Sequence, residues 1–431
     1  MKHLIRDKDK KSIRAIAYFS MEIGIKNSIP TYSGGLGVLA GDTLKAYADL
    51  VVPAVAVTLM CTNGYFRQEL KNGEQIEHAE VWNPSKEMTL CDQKVVIQIE
   101  GRDVVVQAWE YKIVGCKGFY LPVYFLDTNL PENHIDDQKL TQNLYGGDQR
   151  YRIKQEAILG IAGVRMFDAL GYKDIEKYHM NEGHSAFLTL ELLRQNQNES
   201  ESDPLKKYNL DLVKEKCVFT THTPVPAGHD QFLKEDYESV VGHDFIDYRF
   251  MEQFYYDNKL NMTLLALKTS EHINGVAIKH AQVSQDMFPG YVIDSITNGV
   301  HSVTWTCDEF KELYDKKIPA WRHDPFNLRY ALGLSRKEIW EAHIRAKKKL
   351  IEKVNNEYNS NLDLNVLTIG FARRSTQYKR SYLLFKDLER LKHIVQTKGK
   401  IQIIMAGKAH PKDTGGKDLI KNIFNLKDEL K

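Results

Sequence analysis

Short apolar runs alternate with stretches of helical periodicity from residue 14 onward, a pattern typical of an α/β protein. The run RAIAYFS at 14–20 predicts a first strand, a glycine-rich turn follows at 34–37, and a helix extends to about Leu50. The apolar run LVVPAVAVTLM at 50–60 predicts the next strand. Such a strand–loop–helix–strand unit indicates a parallel sheet covered by helices.

The same alternation continues along the chain with one departure. Alternating apolar and polar residues on both sides of Gly101 predict a hairpin, and therefore an antiparallel insertion near 94–126. Glycines at 160 and 163 are expected to permit close helix packing. Further strands are expected at 119–127, 217–221, 292–296, 366–371 and 401–406, and helices at 153–170, 187–194, 262–280, 335–358, about 378–396 and from about 416.

Three regions follow from this reading. Residues 1–334 are expected to form an α/β N-terminal domain, 335–364 a linker helix, and 365–431 the start of a second α/β domain. Ser335 and Glu338 have the spacing of a capping box. Only two strands are predicted after residue 365, whereas a doubly wound domain has about five or six. The second domain is therefore expected to be incomplete.

Composition narrows the function classes. The chain of 431 residues has 59 basic and 57 acidic side chains, a net charge of +2, so no general attraction to nucleic acid or an anionic membrane is expected. Its five cysteines are scattered, without a CxxC pair, which indicates reduced thiols and a cytoplasmic location. No secretory signal is visible, and the longest apolar run is shorter than the roughly 20 residues of a membrane span.

Two kinds of polar loop follow predicted strands. The glycines of SGGLG (33–37) would let backbone N–H groups approach an anion or sugar hydroxyls, although a tight turn without a ligand remains an alternative. The segments HMNEGHSA (179–186) and TTHTP (220–224) carry histidines where an open α/β sheet places its ligand crevice. No HExxH spacing is present, so no metal site is expected, and hydrogen-bonded structural histidines are the alternative.

A cationic cluster, RRSTQYKR at 373–380, directly follows the predicted strand LTIGFA. Arginine forks and a lysine charge at a helix N-terminus would suit a phosphate group. A solvated surface charge run is the alternative. No GxxxxGK[ST] sequence is present, so a nucleoside-triphosphatase is not expected.

Eight segments together resemble the α-glucan phosphorylases that act on glycogen, starch or maltodextrin. In chain order they are YFSMEIGI (18–25), SGGLGVLAGD (33–42), YHMNEGHSAF (178–187), FTTHTPVPAGHD (219–230), NGVAIKH (274–280), TNGVHSVTW (297–305), FARRSTQYKR (371–380) and AGKAHP (406–411). The resemblance covers roughly residues 14 to 415 and is nearest to the shorter bacterial and archaeal members.

This resemblance implies a GT-B glycosyltransferase fold with two Rossmann-like domains facing a cleft, of which the N-terminal one is expected to be nearly complete and the second truncated. It also implies cleavage of terminal α-1,4-linked glucose by phosphate, with retention, to give glucose 1-phosphate. The family carries pyridoxal 5′-phosphate and uses the phosphate of that cofactor in proton transfer.

The resemblance also assigns roles to individual residues. The expected catalytic residues are His222, Arg374 and Lys379, and the expected substrate-binding residues are Gly35, Leu36, Glu182, His184 and Asn298. The expected cofactor contacts are Gly35, Trp305, Arg373 and Lys379, with Arg373 at a position that lysine occupies in other members.

One family feature is missing from this sequence. The cofactor lysine and its preceding EASGT-type loop have no match in the chain, so covalent attachment of the cofactor is not expected here. Two hypotheses follow. The chain is the N-terminal portion of a phosphorylase, either as a fragment of one or as a subunit completed by a C-terminal polypeptide, or it is a non-catalytic glucan-binding remnant. A nucleotide-sugar glucan synthase of the same fold is a third alternative, although such enzymes have a Lys-Thr-Gly-Gly loop where this chain has Ser33 before the glycines. A second copy of the chain is a further candidate partner.

Overall fold

The computed structural model describes residues 14–223, 225 and 229–427. Contacts within these residues separate two compact units. The first unit contains the described residues of Met1–Tyr65 and Glu80–His301, and the second contains those of Phe66–Ala79 and Ser302–Lys431. These limits differ from the boundaries at 334 and 364 expected from the sequence, which remain a prediction about domains.

Strands and helices alternate along most of the described chain. The strands are β1 Ile16–Ser20, β2 Ala54–Leu59, β3 Arg67–Lys71, β4 Glu74–His78, β5 Thr89–Ile99, β6 Arg102–Val114, β7 Tyr120–Asp127, β8 Lys177–Asn181, β9 Cys217–Thr221, β10 Gln231–Leu233, β11 Tyr255–Tyr256, β12 Lys259–Asn261, β13 His272–Gly275, β14 Asp294–Ser295, β15 Leu367–Ala372 and β16 Ile401–Ala406. The helices are α1 Gly35–Leu50, α2 Gln149–Ala157, α3 Gly163–Ala169, α4 Phe187–Gln195, α5 Pro204–Lys207, α6 Leu210–Lys216, α7 Lys234–Val241, α8 Tyr248–Met251, α9 Met262–Lys268, α10 Ile278–Met287, α11 Ser302–Trp305, α12 Asp308–Lys317, α13 Arg336–Tyr358, α14 Leu388–Lys398 and α15 Thr414–Leu426.

A large, mostly parallel sheet forms the centre of the first unit, as the apolar runs predicted. Its order among the described strands is β14-β13-β9-β8-β1-β2-β7-β6-β5, and the strands from β14 to β7 are parallel. Both faces are covered: Ala17 and Phe19 of β1 belong to one apolar core, while Tyr18 between them belongs to a second. Burial on both faces explains why the sequences of these strands are continuous apolar runs.

The hairpin expected around Gly101 is present at one edge of this sheet. Strand β6 pairs antiparallel with both β5 and β7. The helical segment expected at 153–170 is also present, with a π-helical turn at Ile158–Ala162 between α2 and α3. Its glycines allow close packing, because a Cβ on Gly160 would lie 2.5 Å from the backbone nitrogen of Leu188.

The continuous helix expected at 262–280 is wrong. Helix α9 ends at Lys268, and the next residues form β13, which pairs in parallel with β9. Ile273 is flanked by the polar residues His272 and Asn274, so no apolar run marks this short strand and periodicity could not separate it from the neighbouring helices. The strand expected at 292–296 is likewise reduced to the two residues of β14.

The second unit holds a much smaller parallel sheet. Strands β15 and β16 pair with each other, and the hairpin β3–β4 packs beside α15. The predicted capping box at α13 is confirmed, because the side chains and backbones of Ser335 and Glu338 exchange hydrogen bonds. Among the residues that the structure describes, no helix is long and apolar enough to cross a membrane.

The helix expected at about 378–396 begins ten residues late. A 3-10 turn at Gln377–Lys379 ends in left-handed Arg380, with φ of 55°, and α14 starts only at Leu388. Asp387 caps α14 by accepting a hydrogen bond from the backbone N–H of Arg390. This local N-cap overrides the apolar periodicity that suggested an earlier start.

Candidate functional site

Strand order in the first unit reverses next to β1. The chain runs from β1 to β2 and β7 on one side, and then crosses to β8 on the other. In open α/β sheets a ligand crevice lies outside the carboxyl ends of the strands at such a reversal. Ser20 and Asn181, the last residues of β1 and β8, are paired in register at this point.

Glu22 occupies the entrance of the glycine turn. Its buried carboxylate accepts hydrogen bonds from the backbone N–H groups of Ser33 and Gly34 and from the hydroxyl of Tyr145. Burial raises the pKa of Glu22, while these hydrogen bonds oppose the rise. The Glu22 carboxylate therefore accepts hydrogen bonds from the backbone N–H groups just before α1, where a bound anion would otherwise do so.

The helix residues beyond this carboxylate remain accessible. A Cβ placed on Gly35 would meet nothing within 4 Å, so a ligand has room at this position, which is the first residue of α1. Gly37 is different, because a Cβ there would lie 2.6 Å from the Cβ of Tyr32. The expected roles of Gly35 and Leu36 in binding stay predictions, and Gly37 is explained by packing.

His222 is held through both its backbone and its ring. Its N–H donates to the Glu182 carboxylate at 2.8 Å, and its Nε2 lies 2.6 Å from Asn181 Oδ1. Burial lowers the pKa of His222 to about 4, although the Glu182 charge opposes that shift. The ring is therefore neutral near pH 7.

Glu182 adopts a backbone conformation that side chains other than glycine rarely take. Its φ is 75° and its ψ is 166°, which costs on the order of 1–3 kcal/mol. In this conformation its carboxylate accepts from His222 N–H, from the Thr223 hydroxyl and from Gly183 N–H. The structure therefore gives Glu182 a supporting position beneath the His222 turn.

His184 belongs to a second polar group. Its Nε2 lies 3.3 Å from Asp230, which also pairs with Arg152 at 2.7 Å, and Arg152 in turn pairs with Glu156 at 3.2 Å. Burial would raise the pKa of Asp230, but His184 and Arg152 outweigh it and hold that pKa well below its usual range. Burial raises the pKa of Glu156 well above its usual range.

Several buried ring nitrogens around His222 lack a hydrogen bond. Among the described residues, His184 Nδ1, His229 Nε2 and His280 Nε2 have no partner. Electrostatic interactions link His222 to His184 and His280, so these rings lie in one neighbourhood. Because buried polar atoms are normally satisfied, this neighbourhood fits a ligand rich in hydroxyl groups, or ordered water.

The other expected site residue of the first unit lies apart from this group. Asn298 follows β14, its side chain is exposed, and its backbone N–H donates to the carbonyl of Val276 at 3.0 Å. No hydrogen bond between Asn298 and His222 is present within the described residues. Its expected contact with glucose stays a prediction.

In the second unit, two of the resembling segments pack together. The N–H of Arg373 donates to the carbonyl of Ala406, and the N–H of Ser375 donates to that of Lys408. A Cβ on Gly407 would lie 2.0 Å from the carbonyl oxygen of Arg373, so this close approach requires glycine. The segments that begin at 371 and 406 thus form one surface.

The cationic residues lie on this surface, but not at the start of an α-helix as the sequence suggested. Arg373 and Arg374 are exposed, and the Nζ of Lys379 lies 4.7 Å from the ring centre of Tyr378. The hydroxyls of Thr376 and Ser381 are buried and have no partner among the described residues. Arg373, Lys379 and Ser381 line one cavity, and cations beside a hydroxyl donor suit a phosphate group. Trp305, at the end of α11, is 58% exposed.

Several residues that the structure places at these sites have no role in the prediction from sequence. Ser20, Glu22 and Asp230 lie inside the segments that resemble the phosphorylases, but only the fold shows what they contact. Arg152 and Glu156 lie four positions apart on α2, and nothing in their spacing marks them as buried. No group of three or more residues that could hold a metal ion occurs within 14–223, 225 and 229–427.

Comparisons with known proteins agree with the resemblance. The family model described as carbohydrate phosphorylase matches residues 166–431. The chain is 37% identical to a maltodextrin phosphorylase of Thermococcus litoralis, a match that covers 95% of this chain and 53% of the relative. It is 31% identical to a glycogen phosphorylase of Aquifex aeolicus, over 96% of this chain and 65% of the relative.

A third relative is closer in length. The chain is 30% identical to an uncharacterized protein of Methanocaldococcus jannaschii, over 93% of this chain and 71% of that protein. By contrast, it spans about half the length of the maltodextrin phosphorylase and of a Mycobacterium tuberculosis glycogen phosphorylase, 53% in each case. From the extent of these matches and the geometry above, the chain belongs to the carbohydrate phosphorylase family.

Proposed function

We propose that this chain supplies the glucan-binding portion of an α-1,4-glucan phosphorylase, which converts a maltodextrin-type glucan and phosphate into glucose 1-phosphate with retention. The observation that supports this most is the neutral His222, anchored at two points where the sheet order reverses. The unsatisfied ring nitrogens around it offer partners for sugar hydroxyls. The similar maltodextrin phosphorylase and glycogen phosphorylase are named for substrates of this kind.

The residues of the first unit would bind and orient the sugar. Glu182 fixes the backbone at His222, so the carbonyl of that residue can be directed at positive charge that develops on the sugar ring. Because the His222 ring is neutral, it adds no opposing charge at the same place. Gly35 leaves space for close approach of the ligand to the first amides of α1.

The second unit would supply the phosphate contacts. Arg373, Arg374 and Lys379, with the unpartnered hydroxyls of Thr376 and Ser381, fit a phosphate group of the substrate or of pyridoxal phosphate. When bound, the cofactor would supply a phosphate that exchanges protons with the substrate phosphate. These residues fit the phosphate end of the cofactor, whereas no lysine of this sequence matches the attachment position.

In this proposal, activity also needs the C-terminal portion of the family, whether it belongs to the same protein or to a complementing polypeptide. Strands β15 and β16 form a two-stranded sheet in which no strand residue is buried, although parallel sheets are normally covered on both faces. The relatives carry about as much sequence again beyond the matched length. A polypeptide with that remaining portion would complete the sheet and bring the cofactor lysine.

Reconstitution tests the activity. The chain is mixed with the product of the adjacent downstream reading frame, and release of α-glucose 1-phosphate from maltodextrin and phosphate is measured by NMR. Glucose 1-phosphate is expected only from the mixture, and His222→Ala in the mixture should abolish it. A folded complex that binds maltodextrin without phosphorolysis would reject the enzyme and leave the glucan-binding remnant.

Cofactor attachment has a separate test. The isolated chain is incubated with pyridoxal phosphate, reduced with borohydride and mapped by peptide mass spectrometry. No stoichiometric pyridoxyl-lysine at a single position is expected. A single labelled lysine in this chain would show that attachment does not need the complementing polypeptide.

A further inference from the structure

A polar row crosses the carboxyl edge of the large sheet. The last residues of β1 and β8 are paired in register, Ser20 with Asn181, and Asn181 is paired in turn with Thr220 of β9 and Thr220 with Asn274 of β13. All four are buried. Buried polar side chains at neighbouring register positions must satisfy one another, because water is excluded.

One end of this row fixes the direction of its hydrogen bonds. The Ser20 hydroxyl lies 2.7 Å from the carbonyl oxygen of Glu22, which can only accept, so Ser20 is the donor. Its oxygen then accepts from Asn181 Nδ2 at 3.0 Å. This identifies the other end of the Asn181 amide as its oxygen, without an ambiguous flip.

The direction carries through to the His222 ring. Asn181 Oδ1 can only accept, and it lies 2.6 Å from His222 Nε2, so that nitrogen must carry the hydrogen. Since the ring is neutral, Nδ1 carries none. Nδ1 has no hydrogen-bond partner among the described residues, and it is left as an acceptor.

We propose that Asn181, aligned by Ser20, is a positioning residue that holds His222 as the Nε2–H tautomer and so presents Nδ1 as a hydrogen-bond acceptor. The inference rests on the proposed function only for the identity of the ligand, since the tautomer itself follows from the hydrogen bonds. Without Asn181 the ring could turn or place its hydrogen on Nδ1, and the acceptor would be lost.

The other half of the polar row repeats the arrangement for His179. Asn274 Nδ2 donates to the carbonyl of Gly275, its Oδ1 accepts from the Thr220 hydroxyl at 2.9 Å, and His179 Nε2 lies 2.8 Å from Thr220. His179 is therefore held as the same tautomer by separate residues. This gives an internal control on the same sheet edge.

The charged and titratable groups that act on His222 come from several elements. Glu182 favours a protonated ring, whereas His184 and His280 disfavour it, and His179 interacts with it as well. None of these groups bonds to Nε2. The tautomer is therefore set by Asn181, while these neighbours act on the total charge of the ring.

The test is a 15N NMR spectrum of the full chain labelled in its histidines, with the His222 signals assigned by their loss in His222→Gln. At neutral pH a protonated Nε2 and an unprotonated Nδ1 are expected. Ser20→Ala should give a mixture of tautomers, because the Asn181 amide is then free to flip. Asn181→Asp should raise the pH at which His222 protonates by about one unit or more, because a carboxylate favours the charged ring.

Asn274→Asp is the matched control, since the same change at the other relay should alter the His179 signals and leave the His222 tautomer unchanged. A hydrogen on His222 Nδ1 in the unmodified chain would overturn the proposal. So would an unchanged tautomer in both Ser20→Ala and Asn181→Leu, with folding verified by circular dichroism.

Maltodextrin binding supplies a second readout. If the tautomer matters for the ligand, Asn181→Leu should weaken maltodextrin binding by about tenfold or more, and Asn274→Leu should weaken it less. Equal loss in both variants would show a structural role only and overturn the positioning role. A chain with the expected tautomer that binds no maltodextrin would reject the proposed function and leave the assignment of the tautomer intact.

Discussion

The carboxylate of Glu182 accepts a hydrogen bond from the backbone N–H of His222 at 2.8 Å, across 40 residues of chain. It reaches this position only through a backbone conformation in which φ is 75°. The fold thus maintains local strain at the end of β8 to hold the turn that follows β9. Strain of this kind is commonly found at functional sites, where the surrounding structure enforces it.

Substitutions of Glu182 should distinguish the backbone strain at this residue from the hydrogen bonds that its side chain makes. Both Glu182→Gly and Glu182→Ala remove the hydrogen bonds to His222 and Thr223, but only glycine relieves the strained φ. We expect the glycine variant to be more stable than the alanine variant by about 1–3 kcal/mol in urea unfolding. Both should lose maltodextrin binding. An alanine variant as stable as the glycine variant would show that the backbone at 182 is not strained.

Stability should decline in mild acid. His179 and His222 are neutral in the fold with pKa values of about 4, while an unfolded histidine protonates near pH 6.5. The unfolded chain therefore binds protons first as pH falls, so stability present above about pH 6.5 is lost down to about pH 4. Each histidine should contribute about 3 kcal/mol to this loss.

The measurement is urea unfolding between pH 7.5 and 4.5. His222→Gln should reduce the slope of unfolding free energy against pH, because one of the two buried histidines no longer titrates. The pKa of Asp230 is held low in the fold, so its protonation reduces the folding stability only below about pH 4. A pH dependence that His222→Gln leaves unaltered would contradict the burial of a neutral ring.

Arg374→Ala should impair phosphate use in the reconstituted enzyme. Loss of a hydrogen bond from a charged group is worth about 1.5–3 kcal/mol, so the apparent affinity for phosphate should fall by roughly ten- to a hundredfold. Arg336→Ala is the control, because Arg336 is also an exposed arginine of the second unit but lies on α13. If both variants use phosphate normally, Arg374 is not part of the site.

The hairpin β3–β4 should stabilise the segment AGKAHP within the second unit. The Gln75 amide exchanges two hydrogen bonds of 2.9 Å with the backbone of Ala409, and Gln68 donates to the carbonyl of Gly407 at 3.0 Å. Gln75→Ala should lower the local stability of residues 407–411 by about 1–3 kcal/mol. The measurement is hydrogen exchange of the peptides that span these residues, which should become faster. Gln68→Ala, which removes one bond to this segment, should have a smaller effect. Equal exchange in all three chains would contradict this role.

The parallel core could be predicted from the sequence because apolar runs buried on both faces leave a strong signal. Strands β1, β2, β7 and β9 and helices α1 and α13 were predicted close to their observed limits. Prediction failed where the run was short or a local cap decided the structure. Ile273 lies in a four-residue strand that periodicity could not distinguish from helix, and Asp387 starts α14 later than the apolar pattern suggested.

The candidate site could be predicted only as a set of residue types. His222 and Glu182 were singled out because their segments follow strands. The hydrogen bond between Ser20 and Asn181 joins residues 161 positions apart, and no local pattern reports it. The positive φ of Glu182 could not be predicted from the sequence either, because glutamate rarely adopts this conformation.

The hairpin β3–β4 also has a consequence for biosynthesis. Gln75 leaves the ribosome 334 residues before its partner Ala409. At a translation rate of about 5–20 residues per second, roughly 20–70 s pass between synthesis of the hairpin and synthesis of the backbone that it binds. During that interval its two strands are a hairpin without a sheet, which is marginally stable in water. The second unit therefore cannot mature in order along the nascent chain, and its assembly must follow completion of translation through at least Ala409.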